Sequence, residues 1–109
     1  MQWGMLLSSV MMSRAYRTLN MEERAMEFAV QAWSIVQDGE HVGMEEAALI
    51  YGELCLERGD VELARDVVQQ VIRVTEERAQ QIEAREDRQR FMARQDYVKL
   101  LSLKDKMDS

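Results

Sequence analysis

A chain of 109 residues is the length of one domain, and 47% hydrophobic against 31% charged residues is enough apolar content to build a core. Fourteen Lys and Arg against twenty Asp and Glu leave a net charge of −6, which argues against a phosphate backbone and against anionic lipid as partners. No stretch approaches the ~20 apolar residues of a membrane-spanning helix, and the single Cys55 cannot form an intramolecular disulfide, so a reducing, cytoplasmic setting is expected.

In chain order, apolar residues at three- and four-residue spacing predict a first helix from about Met5 to Thr18. The apolar run from Trp3 to Met12 has no Lys or Arg before it, and Ser13-Arg14-Ala15 is a poor cleavage site. It therefore reads as helix and not as a secretion signal. Four of the nine methionines, Met1, Met5, Met11 and Met12, crowd this region. Core filling is the simpler account of them, and a soft partner-binding surface is the other. Trp3 is open to either reading.

Leu19-Asn20 reads as a turn, since Asn tolerates a left-handed backbone and can cap the next helix, with Glu23 placed as in a capping box. A second helix then runs from Met21 to Gln37, with Ala25, Phe28, Ala29, Ala32, Trp33 and Val36 on one face. Residues 38 to 43 form a polar loop. A third helix follows from Met44 to Arg58, with Glu45 and Glu46 in its first turn, where the helix dipole favours acids.

Gly59 supplies a C-terminal stop and Asp60 an N-cap for a fourth helix, whose inward stripe is Val61, Ala64, Val67, Val68, Val71 and Val74. From Val61 onward there is neither Gly nor Pro, so one helix could run for ~70 Å at ~1.5 Å per residue. The stretch from Glu76 to Arg90 is almost wholly polar, a solvated helix or the site of a bend. Beyond it Phe91, Met92, Tyr97, Val98, Leu100, Leu101, Leu103 and Met107 give the end of the chain an apolar face that must dock. The division expected is residues 1–75 as two helical hairpins and 76–109 as a C-terminal helical extension.

The chain also repeats itself. Tyr16 to Ala25 aligns with Cys55 to Ala64 at an offset of 39 residues, from 64 − 25. The second unit, with Ala48, Tyr51-Gly52, Cys55, Gly59-Asp60, Ala64, Val68 and Val71 in order, resembles a tetratricopeptide repeat. The first, with Ser9, Ser13, Tyr16, Asn20, Ala25, Ala29 and Ala32 at the matching places, resembles it more loosely. The expected fold is thus all-α, antiparallel hairpins of a tetratricopeptide-like solenoid fragment followed by a long C-terminal helix, with a four-helix bundle as the alternative. Two such units leave uncapped ends, to be covered by the C-terminal helix, a partner or a second copy.

Little in the sequence points to chemistry. His41 stands alone, Cys55 sits among core positions, and Glu22-Glu23, Glu45-Glu46 and Glu76-Glu77 read as capping or solvated pairs. A helix-turn-helix reading fails because the third helix carries one Arg and four Glu. No enzyme activity and no cofactor is expected. What the resemblance implies is protein binding: an adaptor or chaperone-like scaffold that holds a peptide or amphipathic helix. The rival is a self-associating coiled-coil or bundle subunit, and homo-oligomerisation is compatible with both.

In tetratricopeptide proteins the first helix of each hairpin lines a concave face. Carried over, that register implies Leu7, Val10, Arg14, Arg17 and Thr18 from the first unit, and Glu46, Leu49, Glu53, Leu56 and Glu57 from the second. One end of this groove would be basic and the other acidic. The pattern departs from the family's carboxylate clamp and suits a helix with basic residues facing Glu53 and Glu57. A solvated face is the plainer reading of the same glutamates.

Overall fold

The chain closes two helical hairpins with the same backbone turn, 39 residues apart. In a computed structural model, which describes residues 2–39 and 43–108 with side chains from Met5 onward, α1 spans Gln2–Thr18 and α2 spans Glu22–Gln37. Two reversed bonds end α1: the Met21 amide donates to the Tyr16 carbonyl at 2.9 Å and the Asn20 amide to Arg17 at 3.0 Å. These are the paired bonds of a Schellman turn, which needs one left-handed residue, here Asn20 at φ 59°. The third helix, α3 (Met44–Glu57), ends identically: Asp60 donates to Cys55 at 2.9 Å and Gly59 to Leu56 at 3.0 Å, with Gly59 at φ 83°. The fourth, α4, spans Val61–Gln80.

The crossing points repeat as well. In the first hairpin the buried Ser13 hydroxyl donates to the Ala25 carbonyl at 2.7 Å. In the second, the equivalent positions are Gly52 and Ala64. A Cβ on Gly52 would sit 3.1 Å from Val68 Cγ2 and 4.0 Å from the Ala64 carbonyl, so any side chain here would press on Val68 and make it give way.

One expectation at the first turn fails. Asn20 is spent on the left-handed position, Met21 becomes the N-cap of α2, and no side chain caps that helix, so there is no capping box. Asp60 does cap α4, its carboxylate accepting from the Leu63 amide at 3.3 Å.

Of the two readings of residues 76–90, the bend is the one found. No single helix runs to the end of the chain: α4 stops at Gln80, α5 spans Arg85–Met92 and α6 spans Gln95–Asp108. Neither Gly nor Pro makes the break. Ala84 takes an extended conformation, and the Arg88 guanidinium donates twice to the Ile82 carbonyl, holding the exposed corner. Burial drives the reversal, because it seats Tyr97, Leu100, Leu103 and Met107 in one core cluster with Ala48, Leu49, Val68 and Ile72. The extension from residue 76 thus shares the core of the second hairpin.

Pairwise contacts give the helix directions. Leu7 lies near Gly43 and Arg17 reaches Glu53 and Glu57, so α1 and α3 run parallel. Arg94 meets Glu45 and Leu103 lies near Gly52, so α6 also runs parallel to α3. Arg65 donates to the Met107 carbonyl at 3.1 Å, so α6 is antiparallel to α4. Three parallel helices, α1, α3 and α6, therefore make one layer, with α2 and α4 packed antiparallel against it. All six described helices are α, with no strand among the described residues.

Candidate partner-binding cleft

The parallel layer is hollow along its outer side. Between α1, α3 and α6 lies a cleft of about 450 Å³ whose floor is Leu49 and Leu103 and whose walls are Arg14, Glu53, Lys99, Ser102 and Lys106. A second hollow of about 490 Å³, formed by Arg14, Arg17, Thr18, Ile50 and Glu53, meets it at Arg14 and Glu53. Both lie in the size range of sites that take a few side chains of a ligand.

The electrostatics of the walls are set by one arginine. Arg17 Nη1 donates to Glu53 Oε2 at 3.0 Å and Nη2 donates to Glu57 Oε1, so a single guanidinium bridges the two glutamates. Burial works against the Arg17 charge, but the hydrogen bonds and attraction of Glu53 and Glu57 outweigh it and its pKa is raised. With Glu53 engaged in this way, Arg14 and Lys99 leave the first cleft with a cationic rim over an apolar floor, and Lys106 stands in the same wall.

The residues expected to line a groove divide accordingly. Arg14, Arg17, Leu49, Glu53 and Glu57 come together, and Thr18 joins them on the second hollow. They do not form a basic end and an acidic end, because Arg17 crosses to both glutamates. Val10 is buried in the first hairpin's core with Ala25, Ala29, Ala47 and Ile50. Leu7 is half-buried against Gly43, and Leu56 packs half-buried on the core shared with α4 and α6. Glu46 faces the start of α6. Burial, and then the neighbouring Asp96, raise its pKa, while Arg14 opposes the shift.

Sequence reasoning missed the whole α6 wall: Lys99, Ser102, Leu103 and Lys106. The only signal for it was the stripe Tyr97, Leu100, Leu103, Met107, whose flanks carry Lys99 and Lys106 seven residues apart. A clasp fixes this wall. Arg94 donates to the buried Glu45 carboxylate, stacks over the Phe91 ring at 4.2 Å and donates from Nε to the Phe91 carbonyl at 3.2 Å. Removing Arg94 would leave Glu45 buried and unpaired.

Cys55 lies in the core, and burial raises its thiol pKa despite a hydrogen bond from Tyr51. Trp33 is half-buried and packs on Tyr51 with ring centroids 6.2 Å apart. His41 and the Trp3 side chain lie outside the described residues. Among the described residues no group of three or more His, Cys, Asp and Glu stands together as a metal site, and no helix is long and apolar enough to cross a membrane. Compared with protein-family models, with characterised proteins and with solved structures, the chain matches none.

Proposed function

We propose that the chain is a protein-interaction adaptor of tetratricopeptide-like build, and that the cleft between α1, α3 and α6 holds a short segment of a partner. The single observation that carries this reading is a hollow between helices whose floor is the almost fully buried Leu49 and Leu103 and whose walls carry Arg14 and Lys99. An apolar anchor residue loses water on that floor, and carboxylates beside it meet the cationic rim. The ligand class is therefore a peptide or amphipathic helix with acidic residues flanking an apolar one. A basic helix aimed at Glu53 and Glu57 fits less well, because Arg17 already bridges both.

The layer geometry supports the repeat-protein reading. The α1–α3 ion pairs join residues 36 and 40 apart, whereas the α3–α6 pair Glu45–Arg94 joins residues 49 apart. The difference is about the length of α5 with its flanking turns. So α6 stands where the first helix of a third unit would stand, with α5 as an insertion before it.

Selection from a random-peptide library tests the proposal. Enrichment of acidic–apolar–acidic sequences, with binding lost in the Lys99→Glu variant and weakened by added salt, is expected. Enrichment of basic sequences, or of none, would remove this reading of the cleft.

A further inference from the structure

The outer face of α1 differs from the other exposed helix surfaces among the described residues. Met5, Ser8, Met11, Met12, Ala15 and Leu19 share one side of the helix at three-, four- and seven-residue spacing, and none of them is charged. The large ones are open to solvent, with Met5 54%, Met11 69%, Met12 41% and Leu19 66% exposed. Among the described helices α1 alone contains no acidic residue, in a protein of net charge −6.

These observations identify what covers the face. Two copies of a −6 protein repel, and they meet with least repulsion through the helix that has no carboxylate. The stripe is also complementary to itself. Met5 and Met12 are seven residues apart, as are Ser8 and Ala15, so large and small residues alternate along it. If two α1 helices cross antiparallel about a two-fold axis, Met5 lies against the partner's Ala15 and Ser8 against the partner's Met12. The other two layers follow by symmetry, and each pairs one large side chain with one small one, which lets the backbones approach closely.

We propose that this face is a homodimer interface in which α1 packs antiparallel on α1 of a second copy. Its extent, ~20 Å along the helix between Met5 and Leu19, falls short of the roughly 800 Å² per partner of a standard interface, so the dimer is a weak one, in the micromolar range. The stripe does not include Arg14, the α1 residue in the wall of the first cleft, so dimerisation and peptide binding are separately testable.

Sedimentation equilibrium of the 109-residue chain from ~1 to ~300 μM is the experiment, spanning the affinity expected of so small an interface. The mean mass is expected to rise from 12.7 kDa towards twice that value, and to do so at lower concentration as salt screens the net charge. Met12→Glu places a carboxylate in two layers at once and should raise the dissociation constant at least ~10-fold with an unchanged circular dichroism spectrum. Ser8→Glu, at an exposed position, should do the same and guards against a folding defect in the first variant. Val98→Glu, on the exposed side of α6, should leave the dimer intact. A monomer across the whole range, a dimer that both α1 variants leave intact, or one that Val98→Glu dissolves would each overturn the proposal.

Discussion

The two hairpins share a turn and a crossing but differ in what covers them. The second is walled by α6, and its core is built from valines, leucines and Tyr97. The first is held by alanines and by a Tyr16–Phe28 stack with centroids 5.6 Å apart, and it leaves α1 open on one side. The same closing geometry thus tolerates two kinds of interior, provided the crossing position stays small, as Ser13 and Gly52 do. What separates the units is place in the layer: α3 covers the first hairpin as α6 covers the second, but α3 has a neighbour on both sides and α1, among the described residues, on one only.

The largest effect is expected where that cover is removed. Leu100 is fully buried on α6, and Leu100→Ala should cost ~2–5 kcal/mol in urea unfolding, with dye binding rising as the second hairpin opens. A loss below about 1 kcal/mol would mean that α6 adds little and that the hairpins are equivalent after all.

The matched turns come next. Gly59→Ala puts a Cβ into the left-handed region and should cost ~1–2 kcal/mol, while Gly59→Asn should cost less, since the first hairpin already uses Asn at that position. Thermal melts of the two variants side by side read the difference. Equal losses would show that the turns are alike in hydrogen bonding and unlike in energy.

A smaller effect follows from the uncapped start of α2. Met21→Asp copies Asp60 into the first hairpin and should stabilise by ~0.5–1 kcal/mol, unless the acids at Glu22 and Glu23 repel the new carboxylate enough to cancel it. Chemical denaturation decides between these.

The smallest concerns Glu46. Its folded-state pKa is raised, so the folded protein binds that proton more tightly than the unfolded chain does, and stability falls as pH rises from the ordinary glutamate value through the raised one. Glu46→Gln should abolish that part of the pH dependence and leave the neutral-pH fold slightly more stable. A stability–pH curve superimposable on the parent's would show that Arg14 offsets both burial and Asp96 at this site.

Much of this was readable from local chemistry. The turns at Asn20 and Gly59, the small residues Ser13, Gly52, Ala25 and Ala64 and the valine stripe of α4 each follow from steric rules acting over a few residues, and the 39-residue offset tied them together. The break after Gln80 was legible only as one of two readings of the polar stretch from Glu76 to Arg90, because no residue there forbids helix. It exists because Tyr97 and Leu100 find a buried seat only if the chain turns back, a fact about α3 and α4 and not about residues 81–84. For the same reason the cleft was half seen. Its α1 and α3 walls came from the repeat register, while Lys99 and Lys106 join it only through docking, and Arg17 bridging Glu53 and Glu57 depends on how closely two parallel helices lie.

The route by which α6 reaches its place has a kinetic meaning. Each hairpin closes between neighbouring helices through a turn of three residues, whereas the Arg94–Glu45 clasp and the Arg65–Met107 bond join residues 49 and 42 apart. Closing longer loops costs more chain entropy and tends to come later, so the hairpins should collapse first and α6 should lock down last and exchange its amide protons soonest. Since α6 also supplies one wall of the cleft, any ligand seated on Leu49 and Leu103 draws its binding energy from the same step that finishes folding. Occupancy would then suppress the opening of α6 by the factor 1 + L/Kd, where L is the free ligand concentration, for a ligand that binds only the docked state.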